Sequence, residues 1–254
     1  MPMTKQQIQD KKIPLSRRMQ SILAMLREET LLYGKIPCVA DIGCDHAFVS
    51  MACVRDGLAE HVLAMDVRQG PLAIAQTHVR QYGFGKSVET RLSTGFEAME
   101  TGEATWAILA GMGGELMKTI LENGKNHLDV GIGLILQPQS ELQTVRAYLQ
   151  EHCYIITDED FLQEEGKFYT IIKAKKKPGP ERYGQMNAME LKYGPVLLRK
   201  RNPAFREYLT IEQHKMQELQ KRLSLQDTET SKRRQKELEE ELSLLVQAMG
   251  QSNG

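Results

Sequence analysis

Apolar positions along the chain change period several times. Leu15, Met19, Ile22, Leu23, Met25 and Leu26 recur at helical spacing and predict an amphipathic helix over Leu15–Leu32. Pro37–Gly43 is a short apolar run broken by glycine, which predicts a buried strand and its turn. The pattern then repeats. Ala47–Arg55 reads as helix, His61–Val67 as a strand ending in an acid, and Gly70–Tyr82 as a helix with proline in its first turn. Val88–Leu92 and Thr105–Ala110 are further strands, the second running into Gly111-Met112-Gly113-Gly114 and a helix to about Leu121. Leu134–Pro138 is a fifth strand, followed by a helix over Glu141–His152. Tyr154–Phe161 and Phe168–Ala174 flank the charged turn Gln163–Lys167 and predict a closing antiparallel hairpin.

Strand and helix alternating in this way imply a mostly parallel, doubly wound α/β sheet. After it, Lys175–Pro180 reads as a linker and the pattern turns helical. Met216, Leu219 and Leu223 step by helical intervals, as do Leu238, Leu242 and Leu245, while Gln226–Ser231 between them has no apolar anchor. Two helices folded back as an antiparallel coiled coil fit this, and a parallel, dimerising coil fits it less well because of the gap. The expected division is residues 1–174 and 175–254.

Charge sharpens that division. Residues 1–172 carry 16 Lys/Arg against 22 Asp/Glu, and residues 173–254 carry 17 against 11, so a net charge of zero hides an acidic first part and a basic second one. A basic helical segment suggests a polyanionic partner. No apolar run approaches the ~18 residues that span a bilayer, and the polar first twelve residues lack the core of a secretory signal. A cytoplasmic protein without a membrane partner is the expectation. Of the four cysteines, Cys38, Cys44 and Cys53 have five and eight intervening residues, which match no zinc spacing; no metal is expected.

In a doubly wound sheet ligands bind beyond the carboxyl ends of the strands. Four polar or glycine-rich stretches fall there: Asp41-Ile42-Gly43-Cys44-Asp45-His46-Ala47, Asp66, Ser93-Thr94-Gly95, and Ala110 to Gly114. Asp66 follows Asp41 by 25 residues, about the offset of an acid that accepts hydrogen bonds from ribose hydroxyls. Gly43 allows close approach of a ligand to the backbone. Asp45 and Ala47 stand where a dinucleotide fingerprint has further glycines, and an acid there repels a pyrophosphate while suiting a cationic ligand such as S-adenosylmethionine. A nicotinamide oxidoreductase, a methyltransferase acting on a small molecule or protein, and a non-catalytic RNA-binding adaptor remain open from the residues alone.

Leu15-Ser16-Arg17-Arg18-Met19, Ala40 to Phe48, Ala110 to Gly114 and Leu134 to Pro138 together resemble the bacterial TrmK family, tRNA methyltransferases that modify N1 of adenine at tRNA position 22. The resemblance implies a class I methyltransferase Rossmann-like sheet, mostly parallel with the last strand antiparallel, followed by a helical coiled-coil domain. It implies S-adenosyl-L-methionine as cofactor, held by Asp41, Gly43, Asp45, Asp66, Thr94, Ala110 and Gly111. Asp45, His46, Gly111 and Met112 become the catalytic candidates, with Phe48 or Met112 available to stack on the target base. Arg17, Arg18, Arg199, Lys200 and Arg201 are the expected tRNA contacts, with Lys173–Lys177 and Lys232–Arg234 as further basic runs, and a monomer is expected. Two departures stand out: Thr94 where the family often has an acid, and Gln139 where it often has Asn.

Overall fold

The computed structural model describes residues 12–177, 185–225 and 228–253. Its first helix, α1 (Arg17–Tyr33), begins where the Ser16 hydroxyl accepts from the Met19 amide at 3.4 Å and ends at Gly34, whose φ of 84° only glycine adopts readily. Then come β1 (Ile36–Ile42), α2 (Phe48–Arg55), β2 (Ala59–Asp66), α3 (Gln69–Gln81), β3 (Val88–Leu92), β4 (Trp106–Met112), α4 (Gly114–Asn123), α5 (Lys125–Asp129), β5 (Gly133–Pro138), α6 (Leu142–Glu151), β6 (Tyr154–Glu164) and β7 (Lys167–Lys176). The strands form one sheet in the order β3-β2-β1-β4-β5-β7-β6. All ladders are parallel except those of β7, which runs antiparallel to both β5 and β6.

The central strands read as nearly continuous apolar runs because helices cover both faces. One face packs α1, α2 and α3 through Ile22, Leu26, Met51, Cys53, Leu72 and Val79. The other packs α4 and α6 through Met117, Leu121, Val145 and Leu149. Cys38, Cys44 and Cys53 are buried free thiols and Cys153 is exposed, which fits small apolar fillers in a core. Among the described residues no group of acids, histidines or cysteines is arranged to hold a metal. No described helix is long and apolar enough to cross a membrane.

Several element boundaries differ from the pattern. The closing hairpin has a two-residue turn, Glu165-Gly166, both at positive φ (50° and 74°), and pairing continues to Glu164↔Lys167. The charged stretch therefore belongs mostly to the strands, because a tight turn with both central residues left-handed matches strand twist. The fourth strand runs on to Met112, with an irregularity between Ala110 and Met112 that takes up the Gly111 kink. Strand β7 runs through Lys175 and Lys176, so a boundary after residue 174 would cut a paired strand. The Pro178–Pro180 part of the expected linker lies outside the described residues.

The C-terminal part consists of α7 (Ala188–Tyr193), α8 (Pro203–Ser224) and α9 (Glu229–Asn253). The expected turn included Thr228–Ser231, but helix resumes at Glu229, with Thr228 and Ser231 bonding to each other's backbone amides as a reciprocal cap. Helices α8 and α9 form an antiparallel hairpin, since the Arg206 guanidinium near the start of α8 donates to the Ser252 carbonyl near the end of α9. Its apolar contact concentrates at the end nearest the sheet, where Phe205 and Leu209 meet Leu245 and Ala248. At the far end Leu219 is exposed, so the predicted seam is closed only in part.

This hairpin is welded to the sheet domain. Arg146 of α6 and Glu159 of β6 form an ion pair at 2.9 Å with both side chains at most 1% exposed. The Arg146 guanidinium also donates to the carbonyls of Leu191 and Lys192, and Glu159 accepts from the amides of Val196 and Leu197. Gly194, at φ 95°, passes over the pair so closely that a Cβ would lie 2.5 Å from a Glu159 oxygen. The two parts expected to be separate modules thus share a buried polar joint.

Candidate active site

The carboxyl ends of β1, β2 and β4 converge on one loop, Gly43–Ala47. The amides of Gly43 and Cys44 donate to the Met65 carbonyl at 2.8 and 2.9 Å, folding this loop over the tip of β2. Gly43, Asp45 and Ala47 all have positive φ (77°, 48° and 58°). For Asp45 and Ala47 that conformation is strained, and the surrounding hydrogen bonds hold it. A Cβ on Gly43 would stand 3.2 Å from the Met112 Cε, so the two glycine-bearing stretches meet across the cleft.

Asp66 ends β2 and is only 3% exposed. Its Oδ1 accepts from the amide of Arg68 at 2.8 Å, and its Oδ2 accepts a long bond, 3.4 Å, from the Asp45 amide. A carboxylate offers about four acceptor positions, so Oδ2 retains capacity toward the loop. Asp41 ends β1 and is equally buried, with its Oδ2 accepting from the Ser50 hydroxyl at 2.5 Å. Helix α2 has no side-chain cap of its own, and Ser50 sits in its first turn, so Asp41 does the capping from the strand. Burial pushes the Asp41 carboxyl up to about 6; the Ser50 bonds oppose that shift and the neighbouring Asp66 charge adds to it.

The sign for stability follows from that direction. The folded protein holds the Asp41 proton more tightly than the unfolded chain, so folding stability falls as pH rises from about 4 through about 6. The loss is at most on the order of 3 kcal/mol. Asp41→Asn is therefore expected to stabilise the ligand-free protein at pH 8 and to have little effect at pH 4. Urea denaturation at the two pH values checks it; an equal effect at both would show that ionisation of Asp41 is not the cause.

On the β4–β5 side a residue with no role in the sequence reading fixes the backbone. The Gln137 side chain is 1% exposed, accepts from the Gly111 amide at 3.1 Å and donates to the Pro138 carbonyl at 3.3 Å. A polar residue inside Leu134-Ile135-Leu136-Gln137 was the available signal. Glu141, at φ 48°, accepts from the Gly114 amide at 3.1 Å, and a Cβ on Gly114 would meet the Ser140 carbonyl at 2.6 Å. Met112 is left half-exposed between these fixed points and Gln139 is exposed beside them. After β3, the buried Ser93 hydroxyl donates to the Gly95 carbonyl and accepts from the Ala98 amide, which places Thr94 at the surface.

Asp41, Gly43, Asp45, His46 and Asp66 are thus brought together, and Met112 joins them. His46 Nε2 lies 3.6 Å from the Asp45 carboxylate. Thr94, Ala110 and Gly111 stand at neighbouring strand ends. Arg17 and Arg18 are elsewhere, at the β6–β7 turn: Arg17 bonds to Glu164 and the Gln163 carbonyl, and Arg18 lies over the Tyr169 ring. The triplet 199–201 is divided. Arg199 and Arg201 are exposed, whereas Lys200 pairs with Asp158 and donates to the Glu159 carbonyl, so it fastens the chain to β6.

A sheet ordered 3-2-1-4-5-7-6 with β7 reversed, carrying acids at the tips of β1 and β2 around a glycine loop, defines a class I methyltransferase that uses S-adenosylmethionine. The family model for tRNA (adenine(22)-N(1))-methyltransferases, TrmK, matches residues 39–247, and the chain belongs to that family. It is 30% identical over 239 residues to the tRNA (adenine(22)-N(1))-methyltransferase of Bacillus subtilis, covering 93% of this chain and 98% of that one. The crystal structure of the B. subtilis m1A22 tRNA methyltransferase superposes with a TM-score of 0.80 at 29% identity, covering 94% of this chain and all of that one. A Streptococcus pneumoniae chain in complex with S-adenosyl-L-methionine superposes with a TM-score of 0.78 at 25% identity, covering 93% and 100%. The reaction is transfer of a methyl group from S-adenosylmethionine to N1 of an adenine in tRNA. That membership decides against the oxidoreductase, the adaptor and the small-molecule or protein methyltransferase.

Proposed function

We propose that Asp66 accepts the ribose hydroxyls of S-adenosylmethionine, that Gly43 lets its methionine portion lie against the backbone, and that Asp41 and Asp45 supply the negative potential a sulfonium requires. The observation that carries this reading is the buried Asp66 carboxylate with Oδ2 turned to the Gly43–Ala47 loop. Three carboxylates around one loop fit a cationic ligand and oppose a diphosphate. The cofactor supplies an electrophilic methyl group on positively charged sulfur. Thr94 and Ala110 border the adenosine end.

The nucleophile is a ring nitrogen lone pair that is mostly unprotonated at neutral pH, so the chain need not provide a strong base. Its work is alignment and exclusion of water. The Gln137–Gly111 and Glu141–Gly114 bonds make Gly111-Met112 a rigid wall against which the target base is held. Asp45 faces the base and stabilises the positive charge it gains, and His46 beside Asp45 borders the entrance.

Binding of the tRNA backbone falls to basic surface outside the cleft. We assign Arg199 and Arg201 on the hairpin's root to that role, with Arg17 and Arg18 at the β6–β7 turn, and take the chain to act as a monomer. Such contacts strengthen binding without choosing the base. Mass spectrometry of nucleosides from unmodified tRNA treated with the protein and cofactor tests the reading. Wild type should yield 1-methyladenosine. The Arg199→Glu/Arg201→Glu variant should need about ten times more tRNA for half-maximal rate, with the requirement for cofactor unchanged. Equal tRNA requirements would remove the hairpin root from recognition.

A further inference from the structure

Four aromatic rings cluster beside the Gly43–Ala47 loop, where His46 and His78 are also in direct contact, 5.5 Å apart and tilted by 40°. His46 and Phe48 are stacked with centroids 5.6 Å apart, and Phe48 and His78 of α3 are stacked at 5.0 Å with planes only 17° apart. Tyr82 joins the cluster edge-on to His78 at 6.4 Å. His78 Nδ1 lies 3.2 Å from the His46 carbonyl; since a carbonyl only accepts, that nitrogen carries the proton and donates.

Rings that merely fill a core are enclosed, as Phe84 and Phe96 are at 2% and 3% exposure. These four are all half-exposed. His46 Nδ1 faces inward with no hydrogen-bond partner among the described residues, while the rest of its ring reaches solvent. Phe48 and Tyr82 also line a groove of about 1060 Å³ along α1 past Lys12, Arg27 and Arg55, in which Asp56 pairs with both arginines at 3.1 and 2.7 Å. Half-exposed rings and a groove that carries one more cation than its paired charges need occur together beside the Gly43–Ala47 loop.

We propose that the exposed edge of the His46–Phe48–His78–Tyr82 cluster is a stacking surface for a tRNA nucleobase adjoining the target adenine, with the groove along α1 taking its sugar-phosphate. This rests on the reading above that the adenine enters beside Asp45 and Met112. Drawing one base out of a nucleic-acid stack leaves its neighbour with an uncovered face, and an aromatic side chain restores that contact for any base. The cluster therefore adds affinity and positioning for tRNA without selecting a sequence. His78 acts as a positioning residue.

Two variants separate the ring from its hydrogen bond. His78→Phe keeps a flat ring and loses the donor; His78→Asn keeps a polar group and loses the ring. The Michaelis constant for unmodified tRNA should rise about 5- to 10-fold in His78→Asn and stay within about twofold of wild type in His78→Phe. Calorimetric affinity for S-adenosylmethionine should be the same in both. Tyr82→Leu, remote from the His46 carbonyl, should raise the tRNA constant in the same direction, and it serves alone if His78→Asn does not fold. Unchanged tRNA constants would overturn the proposal by reducing the cluster to packing. Equal losses in both His78 variants would overturn it in favour of loop positioning through the His46 carbonyl. Failure of the underlying reading looks different, because wild type itself would then form no methylated adenine.

Discussion

Asp66→Asn is expected to weaken S-adenosylmethionine binding by a factor of about 100 while leaving the fold intact. The change keeps the side chain's shape and the acceptor that holds the Arg68 amide. What it removes is the negative charge facing the Gly43–Ala47 loop, together with an ion pair to the largely exposed Arg68 guanidinium at 3.3 Å that contributes little. A hydrogen bond to a charged group contributes roughly 1.5–3 kcal/mol, and in the proposed site two ribose hydroxyls would share this carboxylate, so a loss of about 3 kcal/mol is a modest expectation. Stability should not suffer, because the Asp66 charge opposes ionisation of Asp41 and its removal relieves that repulsion. Isothermal titration with the cofactor, beside a thermal melt of the ligand-free protein, gives both readings. Binding as tight as wild type would detach Asp66 from the ribose and remove the observation on which the site assignment stands.

The second large effect concerns the joint between sheet and hairpin. Glu159→Gln or Arg146→Met leaves one buried charge without its counter-ion, and breaking such a pair costs about 3–5 kcal/mol. For a chain of this size that corresponds to a fall of about 10 °C in melting temperature. The guanidinium and carboxylate spend their remaining hydrogen bonds on Leu191, Lys192, Val196 and Leu197. The damage should therefore appear first in how α7 and the root of α8 sit on the sheet. At temperatures where the variants remain folded, the tRNA requirement should rise and cofactor affinity should hold. A double-mutant cycle should show coupling above about 1 kcal/mol; additive losses and a melting shift under about 2 °C would mean that the pair does not lock the joint.

These two predictions draw on different kinds of information. Asp66 was legible because a strand ending in an acid, a fixed interval after a glycine-broken strand, is a local pattern with a local cause. The same holds for the alternation of strands and helices, the reversed last strand and the Gly43 loop. The Arg146–Glu159 pair was not legible. Nothing in the periodicity around Arg146 or Glu159 shows that the chain returns at Gly194 to cover them. Lys200 failed for a related reason, since a lysine between two arginines reads as basic surface until Asp158 is seen to hold it.

The sequence by itself determined the order of the elements, the class of fold and the placing of acids at the tips of the first two strands, because backbone periodicity and turn chemistry act between residues close along the chain. Tertiary structure alone decided which of those acids is desolvated, that Asp41 holds the Ser50 hydroxyl of α2 while Gln137 pins Gly111, and that rings from the Gly43–Ala47 loop, α2 and the end of α3 cluster together. Each of these depends on groups distant in sequence meeting in a medium from which water has been removed, where a missing partner is costly and a present one fixes geometry.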